Sequence, residues 1–290
     1  MQIGIFATTF LNPNDPAPDV GGVLDQIAGL GVTAVSYDAL CLGLPSMPDA
    51  IDPAQVSQVQ DALAARGLWM PSLSATFNMA HPDPAERATG LRRLEVLAAN
   101  ARAFGTDLLT LCTGTRSTES MWRFHPDNAS EEAWVDMRAT MEQAIAIAET
   151  YDVRLGIEPE VANIVGSPRS ARRLLDELGS DRLTIVMDGA NIFPAGTLPR
   201  QREILDEAFE LLGDDIGMTH AKDLTRDGAA GNAAAGTGLL DYAYYIHLLR
   251  RSGFDGAVVL HGLSSAQASG CVDFLKSLDV LTPHHHFTHT

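Results

Sequence analysis

The chain has only three cysteines in 290 residues, Cys41, Cys112 and Cys271, too few and too widely spaced for a disulfide framework. An odd, scattered set points to a reducing compartment, and the cytoplasm is the expectation. Basic residues are scarce as well. The 20 Lys and Arg stand against 37 Asp and Glu, a net charge of −17. Such a surface repels a phosphate backbone, so nucleic acid is not an expected partner. No apolar run approaches the roughly 20 residues a membrane helix needs, so no membrane partner is expected either. The opening Met1-Gln2-Ile3-Gly4-Ile5-Phe6-Ala7 lacks positive charge and reads as a first strand, not a signal peptide. A Gly-x-Gly-x-x-Gly turn is also missing. The first strand runs into Thr8-Thr9-Phe10, without a dinucleotide fingerprint. What is present is 46% hydrophobic residues and a mean hydropathy of +0.02, sufficient for a substantial core.

One unit repeats along the chain. Strand-like runs begin near Ile3, Thr33, Trp69, Asp107, Val153, Leu183, Asp215 and Gly256. Helical patterns lie between them. Val56, Val59 and Leu63 share a face, as do Leu91, Leu94, Ala98 and Ala101. Trp134, Met137, Met141, Ile145 and Ala148 form another stripe, and Tyr242, Tyr245, Ile246 and Leu249 a fourth. Asp52-Pro53-Ala54-Gln55 and Asp83-Pro84-Ala85-Glu86 read as capping boxes. Gly67, Gly105, Gly179, Gly213 and Gly253 stand where helices end before strands. Strict alternation of strand and helix means a parallel sheet, and eight units suit a (βα)₈ TIM barrel, typically roughly 250 residues long. A single barrel domain over residues 1–282 is expected. The irregular stretches Leu11–Pro18, Thr113–Ala129 and Thr225–Gly238 all follow strands and fall on the face that builds a barrel's site. The tail 283–290, with His284, His285, His286 and His289, reads as disordered or as an expression remnant and is excluded from the site.

Four strand-like runs end in a residue able to bind metal. Val153–Ile157 leads to Glu158, Thr184–Met187 to Asp188, Asp215–Thr219 to His220, and Ala257–Leu260 to His261. Their spacing is about one βα unit each time. Singly, Glu158 is equally a rim ion-pair partner, Asp188 a turn cap, and either histidine an ordinary barrel-end residue. Together, two carboxylates and two imidazoles make a mixed N/O set suited to Mn²⁺, Mg²⁺, Co²⁺ or Zn²⁺ with open positions for substrate oxygens.

The chain resembles the sugar phosphate isomerase/epimerase family, the xylose isomerase-like TIM barrels, from Ile3 to about Leu278. The carriers are Glu158-Pro159-Glu160, Met187-Asp188, His220-Ala221-Lys222-Asp223, Ala235-Gly236-Thr237-Gly238-Leu239-Leu240-Asp241-Tyr242 and Gly253-Phe254-Asp255-Gly256. The resemblance implies a divalent metal on Glu158, Asp188 and His220, with Glu158 also a proton-transfer base. Two departures stand out. Many epimerases of the family have a second glutamate at the end of strand eight, where this chain has His261, and a histidine where it has Asn191. His261 is then a replacement ligand or an acid/base, since imidazole titrates near neutrality. Lys222 is a further candidate acid or charge stabiliser, or else the ion-pair partner of Asp223 or Glu160.

Around the mouth, Asn78, His81, Arg116, Trp122, Arg123 and His125 follow strands three and four. The run Cys112-Thr113-Gly114-Thr115-Arg116, with backbone N–H groups and a guanidinium, suits a phosphate, carboxylate or polyol, and Trp122 the face of a sugar. Glu160, Asn163 and Asn191 complete the candidate set. The expected function is a divalent-metal-dependent sugar or sugar phosphate isomerase or epimerase that forms an enediolate. A lyase or dehydratase acting on a sugar, polyol or keto acid is the alternative, and a non-catalytic sugar-binding barrel a third. The partner expected is a small sugar or sugar phosphate; a homo-oligomer stays open.

Overall fold

The computed structural model describes residues 1–12 and 18–280. The His-rich tail and residues 13–17, within the stretch Leu11–Pro18, lie outside the described residues. Strands β1 (Gln2–Phe6), β2 (Ala34–Ser36), β3 (Leu73–Ser74), β4 (Leu108–Leu111), β5 (Arg154–Ile157), β6 (Leu183–Asp188), β7 (Ile216–Asp223) and β9 (Ala257–Leu260) form one parallel sheet. Its order, β2-β1-β9-β7-β6-β5-β4-β3, wraps into a nearly closed barrel. The seam between β2 and β3 is held by the isolated parallel bridges Ala34–Trp69 and Tyr37–Leu73. The third strand was expected from Trp69; Pro71, which has no N–H to donate, interrupts it and delays regular pairing to Leu73.

Helices α1 (Val20–Gly29), α2 (Pro53–Ala64), α3 (Pro84–Ala101), α4 (Glu131–Tyr151), α5 (Pro168–Leu178), α6 (Gln201–Leu212), α7 (Tyr242–Arg251) and α8 (Ser265–Ser277) cover the barrel. The predicted apolar stripes of α2, α3, α4 and α7 are buried against it. None of the helices is long and apolar enough to cross a membrane among the described residues. The Asp52 box forms completely, with Gln55 reaching back, whereas at α3 only the Asp83 cap is made. Gly179 ends α5 in the left-handed region at φ 56°, but Gly213 stays right-handed at φ −55° and leads into a 3-10 turn.

Two details of the sheet set the site. Strand β7 was expected to end at Thr219, yet it runs on to Asp223, so His220 and Lys222 lie within it. The extension is possible because β8 (Ala233–Ala234), inside a stretch expected to be irregular, folds back antiparallel onto Lys222 and Asp223. Register then sets Asp188 of β6 beside His220 of β7. Outside, α7 fastens these strand ends: Tyr242 Oη donates to the Lys222 carbonyl at 2.9 Å and Tyr245 Oη to that of Met187 at 3.0 Å.

Candidate metal centre and substrate cavity

At the carboxyl ends of β5 and β6 and inside β7, ligand atoms of Glu158, Asp188 and His220 lie within 4.8 Å of one another, all three residues buried. His220 Nδ1 stands 3.2 Å from Glu158 Oε1 and 4.0 Å from Asp188 Oδ2. Lys222 Nζ lies 3.2 Å from the same Asp188 oxygen. That ion pair lacks hydrogen-bond alignment, so Asp188 Oδ2 has no hydrogen-bond partner; His220 Nε2 and His261 Nδ1 are buried and unpartnered too. Buried polar atoms without partners are expensive. Two carboxylates and the Nδ1 side of an imidazole converging, with Asp188 Oδ2 to spare, fit a divalent cation. The set expected from the four strand ends contracts to three, because His261 is not part of this cluster. It stands beside it, its ring 4.9 Å from that of His220 and 5.1 Å from that of Phe6.

Electrostatics assign each group a form. Burial alone would raise the Glu158 carboxyl, but His220 and Lys222 outweigh it and hold Glu158 ionised well below the usual range. Asp188 is pushed up, chiefly by burial, against the pull of Lys222. Burial would likewise lower Lys222, yet Asp188 and Glu158 hold it protonated above its usual value. Burial and the adjacent Glu158 push the Glu160 carboxyl up to about 7. Burial, with His220 and Lys222 nearby, lowers His261 to about 3, so it is a neutral imidazole rather than a group titrating near neutrality.

A cavity of about 720 Å³ opens over this floor. Glu158, Glu160, Lys222, His261 and Asn191 reach it from below, and Trp122 lines its outer wall. Asn191 is spent on structure rather than left for substrate: its Nδ2 donates to Glu158 Oε1 at 2.6 Å, and its Oδ1 accepts from Gly231 N–H at 2.8 Å. The amide cannot flip without facing oxygen to oxygen, so it orients Glu158 and ties it to the loop after β7. Asn163 donates to Glu160 Oε2 at 3.2 Å. Lys222 pairs with Asp188, not with Asp223. Asp223 accepts instead from the N–H groups of Leu224, Gly236, Gly238 and Leu240 at 2.8–3.1 Å. That carboxylate is the reason for the Gly-x-Gly loop, since a Cβ at Gly238 would stand 2.3 Å from Asp223 Oδ1.

Four expected mouth residues are placed elsewhere. Arg116 is a correction: its guanidinium is committed to Asp136 at 2.6 Å, Glu132 at 3.2 Å and the Ala80 carbonyl at 3.3 Å, leaving no fork for an anion. Asn78 Oδ1 accepts from Thr115 and Ala80 N–H within its own loops. His81 and His125 each turn Nδ1 onto a backbone N–H two residues on, at Asp83 and Asp127. None of the four lines the cavity. Phe124 and Arg226, which no motif in the sequence marks, do line it. Arg226 is exposed and makes no ion pair among the described residues; an unpaired cation in a long loop after β7 was the available signal.

Residues 24–277 match the family described as the xylose isomerase-like TIM barrel. The chain belongs to that family. No curated protein matches it. Solved structures of similar fold include a D-tagatose 3-epimerase-like protein, 15% identical, covering 96% of this chain and 97% of its own at a TM-score of 0.76. The 3-keto-D-glucoside 4-epimerase of E. coli, in its apo form, is 18% identical, with 97% and 100% covered and a TM-score of 0.71. A xylose isomerase-like TIM barrel protein from Mycobacterium smegmatis, in complex with magnesium, is 16% identical, with 96% of each chain covered and a TM-score of 0.72. At these identities the likeness establishes the family's fold, and the Glu158–Asp188–His220 cluster occupies the barrel face where such folds keep their chemistry.

Proposed function

We propose that this chain is a divalent-metal-dependent isomerase or epimerase of sugars or sugar derivatives that forms an enediolate. The observation that carries the reading is the buried Glu158–Asp188–His220 cluster, with Asp188 Oδ2 unpartnered and His220 Nδ1 turned toward both carboxylates. Glu158, Asp188 and His220 would hold a divalent ion, which would supply Lewis acidity toward a carbonyl and its adjacent hydroxyl and so acidify the C–H of the hydroxyl-bearing carbon. Two proteins of similar fold, a D-tagatose 3-epimerase-like protein and a 3-keto-D-glucoside 4-epimerase, are named for such carbons, which supports the substrate class. The cysteines are all free, in keeping with a reducing, cytoplasmic setting. One domain over residues 1–282 is part of the same reading.

The side chains then divide the work. Glu158, ionised and oriented by Asn191, takes the proton from carbon. Lys222, a fixed cation beside Asp188, offsets charge developing on the substrate oxygens. Glu160, whose carboxyl is poised near neutrality, moves a proton to or from oxygen. Neutral His261 offers a hydrogen bond to a hydroxyl. Both carboxyl groups of this shuttle follow β5, so they meet one edge of the substrate. Such an arrangement favours isomerisation, a proton shift along one face, over return of the proton from the opposite face. The missing strand-eight glutamate also keeps the lyase or dehydratase reading in view, with an enediolate expelling a leaving group.

The test is solvent deuterium exchange at the carbon beside the carbonyl of a ketose or keto-glycoside, followed by NMR after chelation and Mn²⁺ addition. Exchange should require metal, and Glu158→Gln at saturating metal should lower it and turnover together by a factor on the order of 10²–10⁴. Wild-type exchange in the saturated variant would move the base elsewhere, and an absence of metal binding would sink the reading. The same spectra distinguish an isomerised product from an eliminated one.

A further inference from the structure

We propose that the outer half of the cavity is a subsite for a second ring, so that the substrate is a glycoside rather than a free monosaccharide or a sugar phosphate. The inference rests on the reading above for the chemistry at the cavity floor. Trp122 and Phe124, at 55% and 61% exposure, are the most exposed large apolar side chains among the described residues. Both line the cavity that holds Glu158, Lys222 and His261. Their loop is a built turn, not a loose strand of chain: Ser120 Oγ accepts from Trp122 N–H at 3.2 Å, the Ser120 carbonyl from Arg123 N–H at 3.1 Å, and Arg123 pairs with Glu119.

Apart from Arg123, Arg226 and Asn232, the remaining wall has little bulk. Ala162, Ala229 and Ala230 line it, with glycines at 228 and 231. Gly231 admits no side chain, since a Cβ there would meet Ala190 Cβ at 2.6 Å and the Asp223 carbonyl at 2.8 Å. The result is a slot with two aromatic rings and small residues for walls, continuous with the reactive floor. Aromatic faces left bare in water gain by covering a flat, C–H-rich or aromatic ring. At about 720 Å³ the cavity is in the upper part of the roughly 300–1,000 Å³ that accommodates drug-sized ligands, and a single hexose is smaller than these.

The same walls disfavour a phosphate. Arg123 is taken by Glu119 and Arg116 by Asp136 and Glu132, while Glu160 stands in the cavity wall as a second carboxyl. Lys222 is paired with Asp188 at the floor, which leaves Arg226, exposed and without an ion pair among the described residues, as the lining guanidinium that serves hydroxyls of the outer ring.

The experiment is calorimetric binding to the Mn²⁺-loaded protein of p-nitrophenyl β-D-glucopyranoside, cellobiose, glucose and glucose 6-phosphate. At least one two-ring ligand should bind about tenfold tighter than glucose and glucose 6-phosphate, the effect of about 1.4 kcal/mol of stacking. A gain for the aryl glucoside alone identifies an apolar aglycone, and a gain for both a general second ring. Trp122→Ala and Phe124→Ala should bring the ratio toward one. Each side chain is more than half exposed, and unchanged melting would show that the fold is intact. Tightest binding of glucose 6-phosphate overturns the proposal, as does a two-ring preference absent from wild type or undiminished in both variants. It also falls if the protein sediments as a dimer that the two substitutions dissociate, for then the rings are a subunit contact. Because the readout is a ratio of affinities, it can fail while metal-dependent exchange persists, and the reverse.

Discussion

The two ends of the barrel handle charge in opposite ways. At the amino end Arg154 meets Asp107 at 2.8 Å, and Asp152 receives Arg102 at 2.9 Å and Arg182 at 2.7 Å. These groups are paired and partly in water, where an ion pair forms at little cost and contributes little. A cavity of about 430 Å³ lies at this end too, lined by Trp69, Arg102, Asp107 and Arg154, and none of its lining residues carries an unpartnered buried atom. At the carboxyl end, Glu158, Asp188, His220 and Lys222 are all buried. Of the five buried side-chain atoms without hydrogen-bond partners among the described residues, Asp188 Oδ2, His220 Nε2 and His261 Nδ1 belong to this end. Cavities alone therefore do not mark the site. Desolvated charge that the fold leaves incompletely satisfied does.

Three substitutions bear on that contrast, beginning with the largest effect. Lys222→Met removes the ammonium paired with Asp188 at 3.2 Å and leaves two carboxylates buried together. It should destabilise the metal-free protein by about 3–5 kcal/mol in chemical denaturation, with Mn²⁺ restoring more stability to the variant than to the wild type. A cost no greater than that of a surface pair would erase the difference between the ends.

Glu160 tests the same end through pH. Its folded-state value of about 7 exceeds the ordinary 4.5, so the native state keeps the proton to higher pH and ionising it costs stability. That cost is absent below about 4.5, grows between 4.5 and about 7, and persists above, reaching roughly 3 kcal/mol. Glu160→Gln should flatten this part of the stability profile of the metal-free protein. It should match wild type in acid and exceed it above neutrality; parallel profiles would mean that the carboxyl is solvated. Smallest is Arg154→Gln at the other end. Its pair with Asp107 is partly exposed, so the loss should stay under about 1 kcal/mol and shrink further in high salt.

Much of the architecture is legible from local pattern. The buried stripes of α2, α3, α4 and α7 follow helical periodicity, and the runs before Glu158, Asp188 and His261 form strands that end where expected. Mouth residues are less legible. Arg116, Asn78, His81 and His125 have the right chemistry in the right loops, but each satisfies backbone or acidic neighbours there. A loop must settle its own polar groups before it can offer any to a ligand. Nothing in the spelling of Asn191 says that both ends of its amide are already taken, by Glu158 and by a backbone N–H forty positions later.

The sequence by itself determined the repeating βα units and the strand ends that carry Glu158, Asp188 and His261, because hydrophobic period and helix caps are local properties. It also dictated a glycine-rich loop after β7, although not its purpose. Tertiary structure alone decided that β7 runs on past His220, that three residues rather than four converge, and that Lys222 faces Asp188 while Asp223 holds the loop. These outcomes depend on register between strands far apart in the chain, and on desolvation, which no single residue reveals until its neighbours have excluded the water.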